Sequence, residues 1–61
     1  MARFDIFKDV AAGTYQWRFQ ANNNELVAQS EGYNSKAAAQ YSIRVIQQQA
    51  AAATVIDEAG S

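Results

Sequence analysis

The chain is 61 residues long, carries a formal net charge of −1, and contains neither cysteine nor histidine. That length allows one domain, residues 1–61, and the composition excludes disulfide staples, histidine-based zinc sites and Ser–His or Cys–His nucleophiles. Five basic residues spread along the chain leave no electrostatic footprint for duplex nucleic acid or an anionic membrane, and no apolar run is long enough to cross a bilayer.

No basic segment leads into an apolar run of leader length, and the lack of cysteine fits a reducing compartment, so a cytoplasmic protein with no membrane association is expected. Sixteen large apolar side chains, Met1 aside, make a thin core for a chain of this size. With no disulfide or histidine-based metal site available, oligomerisation is the remaining common source of stability.

From Arg3 to Lys8 the pattern alternates, with Phe4, Ile6 and Lys8 on one face and Arg3, Asp5 and Phe7 on the other, which predicts a strand. Asp9 to Gly13 reads as a turn, in which Gly13 can take a positive φ. Thr14 to Ala21 carries the clearest period: Tyr15, Trp17, Phe19 and Ala21 line one face and Thr14, Gln16, Arg18 and Gln20 the other. This predicts a central strand whose aromatic face is the core. Pairing Ile6 with Trp17 sets Asp5 opposite Arg18, where a modest surface ion pair is expected.

Asn22-Asn23-Asn24 follows, and asparagine tolerates the left-handed region of a tight hairpin. A third strand is predicted over Glu25 to Glu31, with Leu26, Ala28 and Ser30 on its inner side. If Asn22-Asn23 is a two-residue turn, Phe19 lies opposite Leu26 and Trp17 opposite Ala28.

Glu31-Gly32-Tyr33-Asn34-Ser35-Lys36 is the hinge of the pattern, since alternation stops there and a helical period begins. Gly32 breaks the strand and Ser35 stands where an N-cap belongs, with Asn34 the competing cap. Ala39, Ile43, Ile46 and Ala50, flanked by Tyr41, Ser42 and Val45, form one apolar stripe predicted to lie on the Tyr15-Trp17-Phe19 face. Gln47-Gln48-Gln49 and Ala50 to Ala53 are good helix formers. Beyond them the pattern is open: nothing stops a helix before Glu58, yet Thr54-Val55-Ile56 is a β-branched run that also reads as a strand.

The series Phe4-Asp5-Ile6-Phe7-Lys8-Asp9, Gly13-Thr14-Tyr15-Gln16-Trp17-Arg18-Phe19-Gln20-Ala21, Glu25-Leu26-Val27-Ala28-Gln29-Ser30-Glu31-Gly32-Tyr33 and Ser35-Lys36 resembles the YegP-like family, small bacterial domains of uncharacterised function. The resemblance runs from about Phe4 to Ile46. It implies an α+β fold: a three-stranded antiparallel meander, one covering helix and a C-terminal strand, in the order β-β-β-α-β. In that family the unit occurs as two tandem copies or as single copies that dimerise, sharing one sheet and exchanging C-terminal strands. For this single copy the resemblance implies a homodimer, with Thr54, Val55, Ile56 and Asp57 as the exchanged strand. One departure is that Asn22-Asn23-Asn24 lacks the glycine of the Asn-Gly turn found in many relatives.

For function, the expectation is a non-enzymatic interaction or structural module that pairs with itself. The carboxylates Asp5, Asp9, Glu25, Glu31, Asp57 and Glu58 have no spacing that gathers two of them in a pocket, so no catalytic residue, metal ligand or cofactor is expected. Nucleic acid is disfavoured because Tyr15, Trp17 and Phe19 face away from Arg18 and belong to the core. The alternative is an anion or small-ligand site at the helix N-terminus, formed by Gly32, Tyr33, Asn34, Ser35 and Lys36, where the first turn holds no acidic residue and Lys36 adds positive charge. A foreign extended peptide added at a free sheet edge is the last candidate.

Overall fold

Alternation over the first twenty residues folds into a hairpin in the computed structural model, which describes residues 1–60. Strand β1 spans Arg3–Asp9 and pairs along its length with β2, Thr14–Gln20, with Ile6 opposite Trp17 and Asp5 opposite Arg18. The turn between them closes as its composition predicts: Gly13 takes φ 71°, its N–H donates to the Asp9 carbonyl at 2.7 Å, and the Ala12 N–H donates to the Asp9 carboxylate at 3.2 Å. The outer face differs from expectation in one pair. Asp5 is bound by Arg3 at 3.1 Å, while the Arg18 guanidinium lies over the Phe7 ring at 4.5 Å. Arg3 shares a face with Asp5 two residues away, and the flat guanidinium of Arg18 gains a ring to stack on.

Strand β3, Leu26–Gln29, pairs with β2 in a register that corrects the two-residue turn. Asn22, Asn23 and Asn24 form a three-residue loop, closed by Ala21 N–H on the Glu25 carbonyl and by Asn24 N–H on the Ala21 carbonyl, both at 2.9 Å. Asn24 sits in the left-handed region at φ 65°, the position that three-residue hairpin loops require. One extra loop residue would turn every inner side chain of β3 outward. An irregularity between Phe19 and Gln20 restores the parity, so Phe19 faces Ala28 while Gln20 faces Leu26. Leu26 therefore leaves the inner face it was expected to occupy and is exposed, as is Val27.

Past β3 the chain returns to β2 at Tyr33, whose N–H and carbonyl both bond Tyr15 at 2.8 Å. Helix α1, Lys36–Gln49, then crosses over β1 and β2 without reaching β3. Its inner stripe is as predicted at Ala39, which is fully buried, and at Ser42, but Tyr41 points to solvent. The Trp17 indole N–H donates to the Ser42 hydroxyl at 2.7 Å, and that hydroxyl donates to the Ala39 carbonyl at 2.8 Å. Trp17 and Ala39 are the only buried apolar residues among those described.

After Gln49 a 3-10 turn spans Ala50–Ala52, and Ala53 becomes extended at φ −68°, ψ 141°. Residues 54–57 realise neither alternative of the sequence pattern within this chain, being neither helical nor paired in the sheet. They carry Val55 and Ile56 into solvent at 91% and 76% exposure. The described chain is elongated: its radius of gyration is 13.5 Å and its longest extent 41 Å, where a compact chain of this length has a radius of about 10.5 Å.

Candidate functional site

Two surfaces come from the sequence, and the structure treats them differently. At the helix N-terminus Ser35 is the cap, with extended φ −141°, ψ 154°, its hydroxyl accepting from the Ala38 N–H at 3.1 Å. No acidic residue lies in the first turn. Tyr33 is held to β2 by two backbone bonds. Gly32 is pressed against Thr14, so that a Cβ added there would lie 2.9 Å from Thr14 Oγ1 and 3.0 Å from Thr14 Cβ. Gly32, Tyr33 and Ser35 thus each carry a structural duty, and all of the five but Tyr33 are exposed.

The second surface is apolar. Phe4 meets Trp17 edge-on at 5.4 Å between ring centroids and an 80° interplanar angle, and lies 4.9 Å from Phe19. These rings form the floor of a groove of about 290 Å³, walled by Ala28 on one side and by Ile46, Gln47 and Ala50 on the other. Ala28 faces inward by register yet stays exposed, because α1 covers the neighbouring strands and stops short of β3. Ile46 and Ala50 also line a wider hollow of about 510 Å³ that runs past Val45 and Gln49 to Thr54. The two hollows share Ile46 and Ala50 as lining residues.

Sequence reasoning named one side of this arrangement, Thr54 to Asp57, and missed the other. Phe4, Ala28, Ile46 and Ala50 were read as ordinary core positions. The signal that they stay open was the mismatch between three strands and one short helix, which together cannot cover a whole sheet face.

Several carboxylates have local partners. Asp5 binds Arg3, Asp9 caps its own turn, and Asp57 accepts from the Ala59 N–H at 2.9 Å. Among the described residues no group of three potential metal ligands comes together, and no helix is long and apolar enough to cross a membrane.

A family model described as "Domain of unknown function (DUF1508)" matches residues 11–57, running past Ile46 to take in Thr54–Asp57. A UPF0339 protein of Neisseria meningitidis serogroup B is 44% identical over 52 residues, covering 85% of this chain and 91% of the relative. A UPF0339 protein of Agrobacterium fabrum is 42% identical over 57 residues, 93% of this chain and 90% of the relative. The solution structure of a protein from Haloferax volcanii superimposes with a TM-score of 0.80 at 38% identity, covering 92% of this chain and 93% of that one.

Proposed function

This chain belongs to the DUF1508 family, the YegP-like group to which its sequence pointed, and from that premise we propose that it is a non-enzymatic self-association module, a homodimer joined by exchange of the segment Thr54–Asp57. The observation that carries the reading is the placement of Val55 and Ile56. Two adjacent β-branched residues stand at 91% and 76% exposure in a segment that is neither helical nor paired, shortly after the 3-10 turn that ends the helical stretch. Isolated exposed apolar residues are ordinary, but an adjacent β-branched pair on an unpaired segment is the kind of piece that completes a sheet elsewhere. Two further facts support it: the family match runs through Asp57, and the core has no large side chain below 2% exposure among the described residues.

Anion binding at Gly32–Lys36 is the lesser reading. Its favouring observation is the first helical turn without an acidic residue; against it, the Ser35 hydroxyl is already used by Ala38.

Light scattering across a dilution series tests the proposal. The full chain is expected to have the mass of two copies and to dissociate on dilution, while V55D/I56D is expected to stay at the mass of one. A full chain that remains monomeric at millimolar concentration would overturn the reading.

A further inference from the structure

We propose that the face of the sheet turned away from α1 is a docking surface for an extended acidic peptide of a partner protein, whose Asp or Glu side chain is taken by the Arg18 guanidinium. This goes beyond the self-association reading and does not depend on it. Strand alternation sets Arg3, Asp5 and Phe7 of β1 beside Gln20, Arg18 and Gln16 of β2 on this face, with Gln29 of β3 next to Arg18. Helix α1 packs on the opposite side, the one that carries Trp17.

The occupant follows from charge. Arg18 is an exposed cation without a counter-charge: its cross-strand neighbour is Asp5, but both Asp5 carboxylate oxygens accept from Arg3 Nε at 3.1 Å, and no carboxylate pairs with Arg18 among the described residues. Its guanidinium lies instead over the Phe7 ring at 4.5 Å. Stacking fixes the plane of the group and leaves its N–H edge for a forked pair with a carboxylate. Beside it Gln29 Nε2 donates to Gln16 Oε1 at 3.2 Å, so the Gln16 N–H groups and the Gln29 oxygen remain to meet the polar groups of an incoming segment. Leu26, opposite Gln20 and 52% exposed, adds an apolar contact at the end of the same face.

Other ligands for this cation fit less well. A nucleic-acid backbone calls for several cations, whereas Arg3 is occupied by Asp5, and Asp5 and Asp9 put carboxylates on the same face. A small carboxylate calls for enclosure, and neither hollow is lined by any of these residues. An open face suits a partner that brings contact area of its own.

The test titrates the isotope-labelled full chain with a capped peptide of alternating valine and glutamate, and with the same peptide carrying glutamine for glutamate. The glutamate peptide is expected to shift, saturably, the Arg18 Nε–H signal and the amide signals of Phe7, Gln16 and Gln29, and the glutamine peptide to leave them in place. Arg18→Gln is expected to weaken binding about tenfold or more, the effect of one charge-assisted pair. Gln29→Glu supplies the neighbouring counter-charge that Arg18 lacks and is expected to weaken binding as much, with Arg18 in place. Trp17 lies on the other side of β2, so unchanged Trp17 fluorescence shows that each variant is folded. Equal shifts from both peptides, no saturable shift at millimolar peptide, or R18Q and Q29E chains that bind as the original does would overturn the proposal. So would a thymidine oligonucleotide or glutarate that moves the same signals at lower concentration than the glutamate peptide, the first pointing to single-stranded nucleic acid and the second to a small dicarboxylate.

Discussion

Gly32 lies where a methyl group has no room, although its own φ makes no demand for glycine. Gly32→Ala is expected to destabilise the fold by about 1–3 kcal/mol, the usual cost of forcing a carbon into a packed contact. Thr14→Ala should recover part of that loss by removing Oγ1 and Cγ2, and a double-mutant cycle in urea reads the coupling. At Asn24 the demand is conformational instead, with φ 65°. Asn24→Ala is expected to cost about 1 kcal/mol, whereas Asn24→Gly costs nothing. Ser35→Ala removes the cap from Ala38 and should cost about 0.5–2 kcal/mol, with Ser35→Asp retaining stability because its carboxylate can cap the same N–H. A Ser35→Ala variant as stable as the original would show that the helix start is held by Tyr33 and the sheet alone.

Among the elements, what could be read in advance depended on how much information each segment carries. Residues 3–9 and 14–20 were legible because alternating aromatics leave one register that hides Trp17, and Ile6 does face Trp17. The second hairpin was not, because three asparagines suit a two-residue and a three-residue turn equally well, and one residue of difference moves Leu26 from the core to solvent. The start of α1 was legible from Gly32, Ser35 and the helical period that follows, with Asn34 competing as the cap until the Ser35 hydroxyl is seen to accept from Ala38. The union of sheet and helix through Trp17 and Ser42 was not, since a serine in an apolar stripe looks like a lapse in the pattern until the indole N–H is seen to donate to it. Ser42→Ala leaves that donor buried without a partner and is expected to cost about 1–3 kcal/mol, while Ser42→Thr, which keeps the hydroxyl, should cost less. Thermal unfolding followed at the Trp17 fluorescence checks both.

For the whole molecule, the proposed self-association makes the exposed Val55–Ile56 pair and the thin core two halves of one deficit. Burying Val55 and Ile56 is worth roughly 1.5–3 kcal/mol each, so two exchanged segments supply about 6–12 kcal/mol. Association costs about 4–15 kcal/mol in lost freedom. The balance is close, which predicts a dimer sensitive to dilution and a melting temperature that rises with protein concentration; a melting temperature independent of concentration would count against coupled folding and association. The candidate site was half legible for the same reason. Val55 and Ile56 are visibly apolar in the sequence, but the groove over Phe4 and Phe19 that α1 leaves open depends on where the helix lies. The measurement that reaches the central claim most directly is an isotope-filtered NOE experiment on a one-to-one mixture of labelled and unlabelled full chains. Cross-peaks between Val55 and Ile56 methyls of one copy and protons of the other are the predicted result, and an ordered full chain whose Val55 and Ile56 methyls give no intermolecular cross-peak would contradict the account.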